Sequence, residues 1–199
     1  EAYSNASALK VADFDKINVQ GGSVATVNGN MSNVVVRKEN TKTEILTGAL
    51  VNVDSTSTAK FEDSNFNDNS VSVYVENPDQ NYAAIVEGGI VNVNNVSEFK
   101  NSNFKGNVIK SEANVAVAGS NVKGGIINAS ANSTIKIEGS AFEQNTINAK
   151  SNSSYATVYG GILNVNDGAT ADLVTTKFIG NNVSTTDSYG PVYGGIIRS

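Results

Sequence analysis

Acidic side chains gather in one short region of the chain, where they could carry acid–base or metal chemistry. The region contains Asp54, Lys60, Glu62, Asp63 and Asp68. Paired carboxylates cleave glycosidic bonds, and clustered carboxylate oxygens bind calcium. Later segments have Asn, Gly or Gln where this region has Asp63 and Asp68. We therefore expect solvated carboxylates in turns, and no catalytic residue, metal site or cofactor site.

The composition removes several other kinds of chemistry. The 199 residues include no His, Cys or Trp, so the commonest general base, thiolate metal ligands, disulfides and the usual sugar-stacking ring are missing. A net charge of −5 argues against nucleic acid as a partner. No apolar run approaches the length of a membrane-spanning helix. The chain begins without a basic and apolar leader, and we expect such a leader to have been removed.

Tyrosine is the residue type best placed for recognition. Five of the seven tyrosines precede a Gly-Gly pair, namely Tyr82, Tyr155, Tyr159, Tyr189 and Tyr193. Tyr159 and Tyr193 each stand two residues before the second glycine, so we expect their rings to stack along an outer face. An exposed aromatic row binds protein or carbohydrate, although a packing ladder has the same pattern. The candidate recognition surface is Tyr155, Tyr159, Tyr189 and Tyr193.

Short apolar strands position these side chains, and they recur along the chain. Glycine-type markers at Ala49, Gly89, Gly125, Gly161 and Gly195 alternate with the Asn of Phe-x-x-Asn motifs at Asn69, Asn107, Asn145 and Asn181. Together with weaker members at Ile17 and Asn33, the markers give a step of about 18 residues. Three residues before each marker stands a Phe, Leu or Val, beginning with Phe14, and only Asn30 breaks this pattern. A unit this short cannot bury its own apolar face, so it must stack on its neighbours.

This step predicts an all-β fold, a right-handed parallel β-helix of about 11 coils of about 18 residues. Residues 89–106 are expected to form one coil, with Phe and Val alternating up one inner corner. We interpret residues 1–199 as a single β-helix domain, in which 1–13 form an N-terminal cap and 14–199 the repeated coils. Eleven coils would form a rod on the order of 50 Å long. Charges beside the second apolar column alternate in sign from Lys60 to Glu98 and Lys136, which predicts a solvated strand face.

The alternation of the two motifs resembles the chlamydial polymorphic membrane proteins and related autotransporter passengers. The Gly-Gly-Ile motifs are Gly88, Gly89 and Ile90; Gly124, Gly125 and Ile126; Gly160, Gly161 and Ile162; and Gly194, Gly195 and Ile196. The Phe-x-x-Asn motifs are Phe66 with Asn69, Phe104 with Asn107, Phe142 with Asn145 and Phe178 with Asn181. The resemblance covers residues 46–197 and implies a secreted surface rod acting in adhesion, with both motifs serving the scaffold. The sequence departs from those passengers in lacking their frequent cysteines and a C-terminal membrane barrel.

These observations favour a non-enzymatic, extracellular or cell-surface rod that acts in adhesion or surface display. Its expected partner is a protein or glycan on a host or neighbouring cell, with no nucleic acid and no membrane-spanning segment. One alternative is a fibre subunit that assembles head-to-tail through its open terminal coils. A more distant alternative is a polysaccharide-degrading enzyme on a β-helix.

Overall fold

The computed structural model describes residues 2–3, 9–13, 16–152, 155–186 and 189–199, with side chains from residue 16 onward. Within these residues the regular structure consists of strands, and no helix long and apolar enough to cross a membrane is found there. Strands β1 (Ala2–Tyr3) and β2 (Leu9–Asp13) precede the first turn. The first turn contains β3 (Ile17–Val19), β4 (Val24–Ser32), β5 (Val35–Asn40) and β6 (Glu44–Thr47).

The next two turns of chain repeat the same order of strands. The second turn contains β7 (Val51–Val53), β8 (Thr58–Glu62), β9 (Asn65–Asn67), β10 (Ser70–Asn77) and β11 (Ala84–Glu87). The third contains β12 (Val91–Val93), β13 (Val96–Lys100), β14 (Asn103–Lys105), β15 (Val108–Val115) and β16 (Ser120–Lys123).

The last two turns continue this order and end in a final short strand. The fourth turn contains β17 (Ile127–Ala129), β18 (Thr134–Glu138), β19 (Ala141–Glu143), β20 (Thr146–Ser151) and β21 (Ala156–Tyr159). The fifth contains β22 (Leu163–Val165), β23 (Thr170–Val174), β24 (Lys177–Ile179), β25 (Asn182–Thr186) and β26 (Val192–Tyr193), and β27 (Ile197–Arg198) follows.

Equivalent strands of successive turns pair in parallel and form four sheets around one core. Sheet I contains β1, β3, β7, β12, β17, β22 and β27. Sheet II contains β2, β4, β8, β9, β13, β14, β18, β19, β23 and β24. Sheet III contains β5, β10, β15, β20 and β25, and sheet IV contains β6, β11, β16, β21 and β26. The fold is therefore an all-β parallel β-solenoid of about five turns.

The length of one turn corrects the period that the sequence suggested. Val51 pairs with Val91, which is 40 residues later, and Val91 pairs with Ile127, which is 36 residues later. One step of about 18 residues is thus half a turn, and five turns replace the expected 11 coils. At about 4.8 Å per strand the solenoid is roughly 24 Å long, about half the expected length.

Side chains stack on identical or similar side chains of the next turn, because register is set by whole turns. The rings of Phe66 and Phe104 lie 4.6 Å apart, and those of Phe104 and Phe142 lie 4.7 Å apart, in parallel orientation. Val86 pairs instead with Val122. The expected alternation of Phe and Val at one corner was therefore wrong, since each type has a corner of its own. Residues 89–106 form half of a turn, and Phe14 lies outside the described residues.

Left-handed backbone conformations mark the corners, as the abundance of Asn and Gly predicts. The corner between sheets IV and I contains glycines with φ between 50° and 62°, namely Gly48, Gly88, Gly124, Gly160 and Gly194. The corner between sheets II and III has positive φ at Asn33, Asp68, Gly106, Gln144 and Gly180. Because these corners recur at the same place in each turn, the sheets remain in register.

The interior contains a continuous apolar core and one buried ladder of amides, the inner Asn ladder of Asn69, Asn107, Asn145 and Asn181. The core extends from Ile17 to Val165. Asn107 donates Nδ2 to the Phe66 carbonyl at 2.7 Å and to Asn145 Oδ1 at 2.9 Å. Its Oδ1 accepts from the backbone N–H of Asn69 at 3.1 Å. Each amide therefore satisfies buried backbone groups at a corner where the chain leaves the sheet ladder.

Two corners absorb the differences in turn length. We count the residues that separate a position in the second turn from its paired position in the third. This number is 40 at Val51, 38 at Ser70 and 36 at Ala84. The number thus changes in the connections between sheets I and II and between sheets III and IV. It stays at 38 from Thr58 to Ser70, across the Asn corner.

The first residues of the chain extend two of the sheets. Strand β1 pairs with β3, and β2 pairs with β4, both in parallel. This pairing places parts of residues 1–13 on the N-terminal edge, where the sequence predicts a cap. The sequence predicts that Leu9 and Val11 face inward in this cap, and their side chains lie outside the described part of the structure.

Candidate functional site

Tyr159 and Tyr193 of the candidate recognition surface lie on strands of sheet IV in the last two turns, and Tyr155 and Tyr189 precede those strands. Ala156 and Val158 point into the core and are fully buried, so the alternation of a strand directs Tyr155 and Tyr159 outward. Val158 pairs with Val192 and Tyr159 with Tyr193. The same register places Tyr189 beside Tyr155. We call this group the tyrosine patch.

The Tyr159 and Tyr193 rings stack, as the sequence predicts. Their centroids are 5.2 Å apart and the ring planes differ by 12°. The guanidinium carbon of Arg198 lies 4.8 Å from the Tyr159 centroid. Tyr159 therefore contacts one side chain of the fifth turn and one of the strand that follows it.

Three members of the patch are well exposed. Tyr189 is 91% exposed, Tyr155 is 58% exposed and Tyr193 is 48% exposed. Thr157 lies between them on the same face and is only 8% exposed. Tyr82, the fifth tyrosine that precedes a Gly-Gly pair, packs against the core instead. The structure therefore brings Tyr159 and Tyr193 into contact, and it places Tyr155 and Tyr189 as exposed residues shortly before the same two strands.

Beside the patch, the Gly-Gly pairs fold the chain into a narrow corner, which we call the glycine corner. A Cβ at Gly124 would lie 2.0 Å from the Ile127 carbonyl oxygen, and φ there is +55°. A Cβ at Gly125 would lie 2.5 Å from both the Gly161 carbonyl oxygen and Ile147 Cγ1. The first glycine thus allows the bend, and the second allows close packing between turns.

Outward-pointing amides of sheet I stack inside this corner and form an outer Asn ladder of Asn52, Asn92, Asn128 and Asn164. Asn92 donates Nδ2 to Asn52 Oδ1 at 3.1 Å, and Asn128 donates to Asn92 at 2.9 Å. Although these side chains point away from the core, Asn92 is 2% exposed and Asn128 is 3% exposed. Their burial shows that the outer surface is concave here.

Charged side chains occupy the wall of the corner next to the tyrosines. Glu87 pairs with Lys123 across adjacent strands, and Lys123 pairs with Tyr159 in the strand register. Lys123 Nζ lies 2.9 Å from Glu87 Oε1. The wall therefore changes along the rod from an ion pair to two aromatic rings.

The acidic residues of the second turn lie at different corners. Asp54 follows sheet I, and Asp63 and Asp68 occupy left-handed turns at the two ends of β9. The Ser57 side chain and the backbone amides of Gly21 and Thr56 lower the pKa of Asp54 to about 2. The bond from the Gly21 amide ties the first turn to the second. Among the described residues, no group of three or more acidic side chains is placed to hold a metal ion.

Two other groups have shifted pKa values because of adjacent carboxylates. A hydrogen bond from Tyr74 to Glu76 raises the pKa of that phenol to about 12. A hydrogen bond to Glu138 raises the pKa of Lys136. Lys136 stands in register between Glu98 and Asp172, as the alternating signs of the sequence suggest.

Sequence reasoning missed the outer Asn ladder and the groove that contains it. A signal was available, because Asn recurs between two apolar residues at Asn52, Asn92, Asn128 and Asn164, in the segments Val-Asn-Val, Ile-Asn-Ala and Leu-Asn-Val. Alternation alone predicts that such residues face open solvent. Only the bend at the glycine corner encloses them.

Comparisons with known proteins give no match. No family model matches the sequence, and no curated protein or solved structure is significantly similar to the chain.

Proposed function

We propose that this chain is a non-enzymatic, extracellular or cell-surface rod that acts in adhesion or surface display. The tyrosine patch is the observation that carries this proposal. Tyr155, Tyr189 and Tyr193 expose about half or more of their surface on neighbouring turns. Aromatic residues are enriched among the side chains that dominate protein interfaces, because they bury a large area and still form hydrogen bonds.

The scaffold beneath the patch favours presentation of a surface over catalysis. Stacked Phe rings and amide ladders link the second turn through to the fifth, so the outer side chains stand on a rigid support. The alternating Gly-Gly-Ile and Phe-x-x-Asn motifs support a relationship with passengers of the autotransporter type. We take the coil to be right-handed, as parallel crossovers almost always are.

The proposed partner is a protein or glycan on the surface of a host or neighbouring cell. The net charge of −5 disfavours nucleic acid as a ligand. The mixture of aromatic edges, an ion pair and amides around sheets IV and I suits a polar surface with some apolar area.

Adhesion of beads coated with the chain to cultured animal cells or to neighbouring microbial cells tests the proposal. The variant Tyr155→Ser/Tyr189→Ser/Tyr193→Ser should retain roughly tenfold fewer beads, because hot-spot side chains contribute 2 kcal/mol or more. The matched control replaces two exposed apolar residues outside the patch, Val35→Ser and Ile45→Ser, which are 73% and 54% exposed. Equal retention for the two variants would contradict adhesion through the patch.

A fibre subunit is the second candidate. Strands β25, β26 and β27 each pair with a neighbour on one side among the described residues. Phe178, Val183 and Ile196 are only partly buried there. A second copy could continue the sheets head-to-tail. Electron microscopy and concentration-dependent sizing distinguish the candidates, because a fibre lengthens with concentration.

An enzyme acting on polysaccharides is the third and most distant candidate. Incubation with pectin, alginate and chitin, followed by detection of new reducing ends, would reveal such an activity. If the chain releases reducing ends and the Asp54→Asn variant does not, the protein is an enzyme and the adhesion proposal is wrong.

A further inference from the structure

The glycine corner forms a groove on the outside of the rod. It contains a depression of about 390 Å³, whose lining includes Glu87, Lys123, Asn128, Ser130, Asn166 and Arg198. Asn128 of the outer Asn ladder lies at its floor, and Tyr159 and Tyr193 follow Lys123 in the strand register of the wall. Ser130 and Asn166 form the opposite rim, one turn apart. The groove therefore follows the axis of the rod and crosses several turns.

Hydrogen bonds between rim and floor hold the groove in shape. Asn166 donates Nδ2 to Asn128 Oδ1 at 3.0 Å and to the Ala129 carbonyl at 2.8 Å. Ser130 donates its hydroxyl to Asn92 Oδ1 at 3.2 Å. A ligand would thus meet a preorganised surface, which lowers the entropic cost of binding.

The charges that line the groove balance. Glu87 opposes Lys123 at 2.9 Å, and Asp167 and Arg198 add one charge of each sign. Balanced charges give no general attraction for a polyanion such as nucleic acid or an acidic polysaccharide. They provide donors and acceptors for a ligand that is neutral and polar.

The spacing along the groove repeats with the turns. Rim and wall positions recur at each strand, about 4.8 Å apart. One sugar unit of an extended 1,4-linked chain has a similar length, so successive units would lie beside successive turns. A sugar presents hydroxyl donors and acceptors at every unit, which suits the polar groups that line the groove.

We propose that the glycine corner binds a neutral oligosaccharide, with its chain lying along the axis of the rod between Lys123, Asn166 and Tyr193. This inference rests on the proposed adhesion function and names the class of ligand that such a surface would hold. The Arg198 guanidinium over Tyr159 and the Lys123 ammonium group direct hydrogen bonds at the sugar hydroxyls.

Titration of the ¹⁵N-labelled chain with cellohexaose, mannohexaose and chitohexaose tests the proposal by NMR. At least one of these hexasaccharides should shift the amide signals of Lys123, Ser130 and Asn166 in a saturable manner at millimolar concentration. Absence of such shifts with all three would overturn the proposal. So would shifts confined to an acidic oligosaccharide, hexagalacturonate, or to an added peptide.

Two tryptophan variants separate groove binding from general effects. Ala131 is an exposed residue of the lining, so Ala131→Trp fills the groove without removing a side-chain hydrogen bond. It should weaken binding by roughly tenfold or more. Ala116→Trp makes the same change at an exposed position between sheets III and IV and should leave binding unchanged. Equal affinities for both variants would place the sugar elsewhere and contradict the proposal.

The bead assay keeps this proposal distinct from the adhesion function. If Ala131→Trp loses hexasaccharide binding and also bead retention, the groove is the adhesive site. If no hexasaccharide binds while wild-type beads are retained, the glycan inference fails and adhesion stands. If a hexasaccharide binds while beads are not retained, the adhesion proposal fails and the groove remains a sugar site.

Discussion

The inner and outer Asn ladders use the same residue at the same pitch with different consequences. Inside, Asn107 bonds to the backbone of Asn69 and Phe66 as well as to the next amide. Outside, Asn92 bonds to the side chains of Asn52, Asn128 and Ser130. The inner amides donate both to the side-chain amide of the next turn and to a backbone carbonyl of the preceding turn, whereas the outer amides donate to the side-chain amide of the preceding turn. The inner ladder therefore satisfies backbone groups of the scaffold, whereas the outer ladder links only side chains on the outside of the solenoid.

The largest expected difference comes from removing one amide from each ladder. Asn107→Leu removes the acceptor of the buried Asn69 N–H and a donor to the Phe66 carbonyl, so it should lower the free energy of unfolding by about 3–5 kcal/mol. Asn92→Leu leaves only side chains unpaired and should cost about 1–2 kcal/mol. Urea denaturation of both variants measures this. Equal losses would mean that the two ladders contribute alike to the scaffold.

Stacked rings extend the comparison between inside and outside. Phe104 is fully buried between two Phe rings, so Phe104→Ala should cost about 3–5 kcal/mol. Tyr193 stacks on Tyr159 but is 48% exposed, and Tyr193→Ala should cost about 1 kcal/mol. Thermal unfolding followed by circular dichroism measures both. A tolerated Phe104→Ala would show that the inner stack is not required.

One added methyl group tests the close packing at the glycine corner. A Cβ at Gly161 would lie 2.4 Å from Val183 Cγ2 and 2.7 Å from the Gly195 carbonyl oxygen, so Gly161→Ala should cost about 1–3 kcal/mol. The control is Gly195→Ala, where a Cβ would meet nothing within 4 Å. Matching midpoints in urea would show that the turns can separate at this corner without cost.

The smallest effect concerns the acid sensitivity of the outer surface. Asp54 stands at the rim position that Ser130 and Asn166 occupy later, and its pKa of about 2 lies below its ordinary value of 3.8. A lowered pKa in the folded state stabilises the fold above pH 4, and this stabilisation is lost as pH falls from about 4 to about 2. The stability of wild-type chain and Asp54→Asn should therefore converge over this interval. A constant difference between the two denaturation midpoints would contradict the role of the carboxylate.

The sequence predicted much of the scaffold because burial leaves a local pattern. Strands such as Val91–Val93 and the corner at Asn101 follow from alternation and from Asn and Gly chemistry. The period was misread because apolar residues recur every half turn, whereas the same residue type recurs only every full turn. Phe stacks on Phe and Asn on Asn, so the recurrence of the same residue reports the turn.

The candidate site was predictable only in part. The tyrosine stack follows from the equal positions of Tyr159 and Tyr193 before their glycines. The groove does not follow, since the alternation that identifies outward residues carries no information on surface curvature. Asn128 therefore reads as exposed in the sequence although the fold buries it.

The two corners that absorb differences in turn length define where this protein can change. An insertion between sheets III and IV leaves the Asn and Gly corners in register, as the longer connection of the second turn already does. These connections can therefore vary in length and sequence during evolution while the solenoid is retained. The same property makes the position an attachment point for foreign peptides on an engineered rod.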